Sequence, residues 1–298
     1  MKKFLALSRT THGVLDLATP GFCALLWLGR FPARQVILLS LFTAFAAYTA
    51  IYALNDLVGL AVDKEKFAGG INAGYSVEAS DMRYPLAQNV LNFRSGLLWF
   101  AVWFGLALIG SYFLNPAIDI ILIAAAILEV TYCLLLKVTY LRTLVSGLVK
   151  SGGPVAAVFV VDRNPSPYLL LLIFVWVFCW EIGGQNIPAD WNDTEEDKRV
   201  HAKTIPIQFG PERAGLIVMI ALGITVVVSL LLPMISPIKL GWLYLLATAV
   251  TGFMLLLRPG YQLYQRGEMR QTAATLFDHA SYYPLAQLAI ISAIVIFK

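Results

Sequence analysis

The chain is short of charge. Its 298 residues hold 22 Lys and Arg and 18 Asp and Glu, together 13%, where a soluble domain carries about 25%. That deficit excludes an ordinary water-soluble globule, a disordered chain and a coiled coil. Cysteine is scarce as well. Cys23, Cys133 and Cys179 lie in separate apolar stretches, which excludes a disulfide framework or a zinc site. His12, His201 and His279 show no metal-ligand spacing. A cleavable leader is not expected either. Phe4–Leu7 is the whole apolar run before Arg9, against the roughly 7–15 residues a leader needs, so the N-terminus is expected to stay. No nucleic-acid partner is expected.

What the sequence has is long apolar runs. Hydrophobic residues make up 59% and the mean hydropathy is +0.73. A spanning helix needs about 20 largely apolar residues. Nine candidates stand out: Val14–Gly29, Val36–Leu57, Gly96–Leu114, Ala117–Leu135, Leu144–Val161, Tyr168–Ile187, Ala214–Leu232, Leu240–Leu257 and Tyr282–Phe297. The first is the weakest, because Asp16 and Pro20 interrupt it. The runs do not alternate apolar with polar, so helices are expected rather than barrel strands. The expected fold is therefore an all-α polytopic membrane protein, one domain over 1–298, with the lipid bilayer as its first partner.

The connections divide into two faces. Loops at about 58–95, 136–143, 188–213 and 258–281 share one face with the N-terminus. That face carries sixteen Lys and Arg; the other carries five, and Lys150 falls within a span. The bias places the long loops in the cytoplasm and the C-terminus on the opposite side, in the inner membrane if the cell is bacterial. Thirteen of the 18 carboxylates lie on the same face, and they gather at the ends of spans two and six.

The first cluster runs Asn55-Asp56, Gly59 and Asp63-Lys64. The second is Asn186, Asp190, Asp193 and Asp197-Lys198. On a continuous helix, Asn186, Asp190, Asp193 and Asp197 fall within roughly 60° of arc. Asn55, Gly59 and Asp63 drift over about 80°, with Asp56 close beside Asp63. Each cluster is thus a stripe of oxygen ligands, although Pro188 threatens the helix in the second. Stacked carboxylates repel each other. Mg2+ would offset that, since it takes oxygen ligands from one or two carboxylates together with substrate phosphates. The metal candidates are accordingly Asn55, Asp56, Asp63, Asp190, Asp193 and Asp197. Arg83, Lys137, Arg142, Lys198, Arg199 and Lys203 stand near the stripes and can hold a diphosphate as negative charge leaves. The alternative is a pair of solvated helix ends with basic anchors.

Ionisable groups inside spans are costly and usually face a cavity or a partner. Glu129, Lys150 and Glu181 each lie ~10 Å below the cytoplasmic helix ends at 1.5 Å per residue. A shared depth points to a shared chamber that binds an acceptor, with Lys150 free to pair with either glutamate. A buried structural ion pair is the competing account.

These motifs resemble the UbiA superfamily of intramembrane prenyltransferases. The family's Asn-Asp-x-x-Asp-x-x-x-Asp motif is met by Asn55, Asp56 and Asp63. Its Asp-x-x-Asp-x-x-x-Asp motif is met by Asp190, Asp193 and Asp197. Ala202 to Ile207 with Phe209-Gly210, Tyr132 with Lys137, and Arg83 to Leu86 look like further family segments. The likeness covers nearly the whole chain. It implies nine helices around a central cavity that opens to the cytoplasm. It also implies Mg2+-dependent transfer of a prenyl group from a prenyl diphosphate, with Asp190, Asp193, Asp197, Lys137 and Tyr132 as catalytic residues. The implied acceptor is hydrophobic or aromatic, of the quinone-precursor type. A cyclase, a sugar- or glycerol-phosphate prenyltransferase, and a non-catalytic lipid-binding or transport protein on the same scaffold remain open. Two departures stand out. Gly59 replaces the middle aspartate of the first motif, and the segment from Asp63 to Arg83 is longer than the family pattern.

Overall fold

Apolar runs of this length satisfy their backbone groups in lipid only as helices or closed barrels, and this chain forms helices. The computed structural model describes residues 1–66, 68, 84–266 and 270–297. In chain order the helices are α1 Lys2–Leu7, α2 Thr10–Asp16, α3 Ala18–Leu28, α4 Arg34–Lys66, α5 Phe93–Leu114, α6 Ala117–Leu134 and α7 Arg142–Val161. They continue with α8 Pro167–Trp180, α9 Ile187–Asn192, α10 Thr194–Arg199, α11 Ile205–Leu231, α12 Gly241–Gly252, α13 Arg258–Gln265 and α14 Arg270–Phe297. A π-helical turn over Glu181–Asn186 joins α8 to α9, and another over Phe253–Leu257 joins α12 to α13.

Among the described residues, eight helical segments are long and apolar enough to cross a membrane. The first expected span is divided between the short helices α2 and α3, neither of which is long enough by itself to cross. Its start is tied to the acidic end of α4, where Arg9 meets Asp56 at 3.4 Å. Its end is tied to the far end of α7, where the Trp27 indole donates to Asp162 at 3.0 Å. Among the described residues the expected nine spans therefore stand as eight, with the first expected span broken into two short helices.

Several stretches expected as loops are helical. α4 runs nine residues past its expected end, and α9, α10, α13 and the first half of α14 fill much of 188–213 and 258–281. Charged helix ends look like loops in a hydropathy profile, yet each continues the hydrogen-bonded ladder of its span. Gly210, at φ 74° and ψ 172°, breaks α11 just before Pro211. That backbone conformation is essentially restricted to glycine.

The second acidic stripe departs from the continuous helix considered above. Pro188 does not end the helix. Proline removes a donor and crowds the carbonyl four residues back, and the widened turn over Glu181–Asn186 accommodates it. Pro259 follows the turn at Phe253–Leu257 in the same way. The chain instead breaks at Asp193, whose φ of −96° and ψ of 12° separate α9 from α10.

The main core lies among α3, α8, α11 and α14. Phe22, Trp176, Trp180, Leu222 and Tyr283 are fully buried there, with Phe22 and Trp176 rings 5.0 Å apart. The outer faces of α5 and α6 present Leu98, Ile109, Phe113, Ile120 and Ile127. So large an apolar surface suits contact with lipid.

Candidate active site

α4 carries the first motif and α9 with α10 the second. Both arrive buried: Asp56, Asp63, Asp190, Asp193 and Asp197 are all below 10% exposed. Buried carboxylates need partners, and the fold supplies cations from distant parts of the chain. The Lys66 ammonium lies 2.5 Å from Asp197 and ties the end of α4 to α10. Arg199 donates to the Lys66 carbonyl at 3.2 Å, which caps α4 where its carbonyls are unpaired. Arg142 Nη1 donates to both oxygens of Asp190, at 2.9 and 3.2 Å. Its guanidinium lies 3.9 Å from the centre of the Tyr132 ring. Arg9 reaches Asn55 at 3.3 Å and Asp56 at 3.4 Å. Asp197 lies outside the spans, and burial pushes its carboxyl up to about 6, with Lys66 drawing it down and Asp190 and Asp193 adding to the rise.

The other expected residues divide. Tyr132 accepts from Asn186 Nδ2 at 2.9 Å. Asn55 Nδ2 donates to Glu129 at 2.5 Å. Lys137 stands half-exposed and pairs with Glu65 at 2.6 Å, away from the second stripe. Lys198 is exposed and pairs with Glu195 at 3.4 Å. The Lys203 side chain is exposed, while its backbone N–H donates to Leu136 at 2.8 Å. Arg83 lies outside the described residues. Lys66 and Arg9 were not singled out from sequence as site residues. Each is one basic residue close to an acidic motif in space, and only Lys66 is close to one in the chain.

Below the motifs lies a cavity of about 480 Å³. Asn55, Tyr132 and Asn186 line its upper end, and Phe31, Leu114 and Val161 its far end. Glu129, Lys150 and Glu181 all line it at intermediate depth. Lys150 pairs with an aspartate. Its ammonium lies 2.7 Å from Asp16, at the end of α2, and 3.3 Å from the Tyr52 hydroxyl. Tyr52 donates to the same Asp16 oxygen at 2.5 Å. Asp16, read from sequence only as an interruption, therefore anchors Lys150 and Tyr52, which line the cavity.

The donor set suits a hard cation. Five buried carboxylates offer only oxygen, and among the described residues the Asp197 carboxylate accepts no hydrogen bond beyond its ion pair with Lys66. Among the described residues, no three His, Cys, Asp or Glu side chains converge into a metal-sized cluster. Mg2+ takes oxygen ligands, commonly one or two carboxylates, and completes its shell with water and phosphate oxygens. At Gly59, a Cβ would stand 2.9 Å from Asp63 Oδ2. The Asp63 carboxylate thus occupies the space beside the missing aspartate.

Residues 17–282 match the model of the UbiA prenyltransferase family. A comparison with curated proteins gave no match. Among solved structures, the chain is similar to an apo UbiA homologue from Aeropyrum pernix K1, at 20% identity and TM-score 0.72, over 96% of this chain and 98% of that one. It is similar to a UbiA homologue from Archaeoglobus fulgidus bound to DMAPP and Mg2+, at 16% identity and TM-score 0.69, over 97% and 99%. It is also similar to digeranylgeranylglyceryl phosphate synthase, at 17% identity and TM-score 0.68, over 99% and 98%. With two acidic motifs over a membrane-depth cavity, and a family match along nearly nine-tenths of its length, the chain belongs to the UbiA prenyltransferase family.

Proposed function

We propose that the chain transfers a prenyl group from a prenyl diphosphate to an aromatic acceptor of the quinone-precursor type, in a Mg2+-dependent reaction within the membrane. The observation that carries this is the cavity itself. It starts at Asn55, Tyr132 and Asn186, beside both acidic motifs, and continues into apolar walls suited to a prenyl tail. Asp56, Asp63, Asp190, Asp193 and Asp197 would hold Mg2+. When bound, the ions neutralise charge on the departing diphosphate. Arg142, Lys66 and Arg199 lie in the same cluster. Arg142 and Lys66 stand ready to take diphosphate oxygens once their carboxylates are engaged elsewhere, and Arg199 holds the end of α4 beside them. Tyr132, held by Asn186 and Arg142, lines the cavity, and an aromatic ring there favours an allylic cation. Lys137, Lys198 and Lys203, which lie further out, act as an electrostatic funnel for the diphosphate.

Purified protein supplied with radiolabelled prenyl diphosphate and aromatic acceptors should release diphosphate and form prenylated product only with Mg2+. Product formed equally well under chelation would defeat the reading. The same assay, titrated with Mg2+, tests Gly59. Gly59→Asp adds the missing carboxylate, and its Cβ would press on Asp63 Oδ2, 2.9 Å away. It should lower the Mg2+ needed for half-maximal activity. A uniform loss at every Mg2+ concentration would show instead that the space is required.

The sixteen-to-five bias further supports an orientation with the acidic motifs in the cytoplasm. A reporter fused after Lys298 should read as outside, and one inserted between Val138 and Thr139 as inside. Both reporters on one side would overturn this topology.

A further inference from the structure

Lys66, the last residue of α4, sits where the two acidic motifs meet. Its side chain is 9% exposed and that of Asp197 is 1% exposed. The ammonium lies 2.5 Å from Asp197, and among the described residues no other side chain pairs with that carboxylate. Asp193 also acts on the ammonium. A cation belonging to the chain therefore stands beside a carboxylate read above as a Mg2+ ligand. Two cations brought to one carboxylate in a low-dielectric site repel each other strongly, so Lys66 and Mg2+ compete for Asp197.

Fastening the fold does not account for this pair, because other contacts hold the backbone around it. Arg199 donates to the Lys66 carbonyl at 3.2 Å. The Lys203 N–H donates to the Leu136 carbonyl at 2.8 Å. Leu136, Val200 and Ala202 form a buried cluster, with Val62 of α4 packed against it. The end of α4 and the segment after α10 stay joined when the ammonium leaves Asp197. Only the flexible four-carbon stem of Lys66 has to move, and it carries a compact charge with three donors. Arg142 differs. It bonds both oxygens of Asp190 and lies over the Tyr132 ring, whereas Lys66 touches one carboxylate among the described residues.

We propose that Lys66 couples the binding of Mg2+ to the binding of the prenyl diphosphate: its ammonium holds Asp197 in the free chain, yields it to Mg2+, and passes to a diphosphate oxygen. This rests on the Mg2+-dependent reading above. Mg2+ arriving by itself leaves a buried ammonium without a partner, which is strongly unfavourable. A diphosphate supplies the new partner through a charge-assisted hydrogen bond. Each ligand then strengthens the other, and by the same factor. The two motifs consequently take metal together with the diphosphate and resist taking metal alone.

The test is Mg2+ binding to the purified full chain in detergent, measured by titration calorimetry without acceptor. With Mg2+ alone, Lys66→Met should bind about tenfold more tightly than the wild type, a size common for coupled equilibria, because the competing cation is gone while the side chain keeps its length. A residue that only fastened the fold would weaken binding when removed. Saturating geranyl diphosphate should strengthen Mg2+ binding by a factor roughly tenfold smaller in Lys66→Met than in the wild type, after correction for Mg2+ held by free diphosphate. A second measurement needs no variant. Acetic anhydride labelling of the wild type, read by mass spectrometry, should modify Lys66 about tenfold faster at saturating Mg2+ than without it, with the exposed Lys198 unchanged. Equal or weaker Mg2+ binding by a folded Lys66→Met, or Lys66 labelling that Mg2+ does not alter, would overturn the proposal and leave the metal reading standing. Mg2+ binding by neither protein, with or without diphosphate, would overturn both.

Discussion

Replacing Asp197 by Ala should lower prenyl transfer by at least tenfold, on the order of 1.4 kcal/mol or more in the barrier. The same is expected of Asp193→Ala. Asp197 is the most buried of the motif carboxylates at 1% exposure, and it joins the second motif to the first through Lys66. Its loss removes a metal ligand and also leaves the Lys66 ammonium buried without its partner. Asp197→Asn separates the two effects, because it keeps the volume while losing the charge. Its thermal unfolding should stay nearer that of the wild type than Asp197→Ala does, while its activity stays low. A pH titration adds a second check. A proton and a Mg2+ ion compete for the same carboxylate. Burial raises the carboxyl to about 6, so it holds its proton below that pH and is free to bind metal above it. The Mg2+ concentration required by the wild type should accordingly fall as pH rises from 5 to 7. That dependence should flatten in Asp197→Asn. Near-wild-type turnover in both alanine variants would sink the assignment of the second motif as the metal site.

Arg142→Leu should destabilise the protein by about 3–5 kcal/mol, the range for removing one partner of a buried ion pair. The side chains of Arg142 and Asp190 are only 7% and 10% exposed, so solvent screens the pair little. The substitution strands Asp190 as an unpaired buried carboxylate and removes the guanidinium stacked on Tyr132. Thermal unfolding in detergent reads the loss directly. The double variant Arg142→Leu with Asp190→Leu should recover much of the stability, since neither charge is then left alone. Prenyl transfer should stay low in both. A single variant that melts with the wild type would show that the pair is not buried as described. Recovery of activity along with stability would show that neither residue serves the reaction.

The spans and the acidic motifs were legible in the sequence. An apolar run of about 20 residues must become a helix in lipid whatever it packs against, and a carboxylate stripe at such a run's end can be read locally. Glu129, Lys150 and Glu181 were legible as a shared depth because helical rise is fixed at 1.5 Å per residue. Helix ends were less so. Lys64, Lys66, Glu195 and Glu196 depress hydropathy just where α4 and α10 continue as helix, so these stretches passed for loops. The π turn before Pro188 was also hidden, because a proline alone does not say whether the chain will break or widen.

The sequence by itself determined the class of solvent this protein lives in, the order of its crossings and the oxygen-rich character of its two motifs. These follow from composition and periodicity within one segment at a time. The tertiary structure decided which cation meets which acid. Arg9 with Asp56, Lys150 with Asp16, Lys66 with Asp197 and Arg142 with Asp190 are separated by 47, 134, 131 and 48 positions. No local rule links residues so far apart. Their pairing is fixed by how the helices pack, because a carboxylate taken out of water must find a partner within a few ångströms, and only the folded bundle determines which one is there.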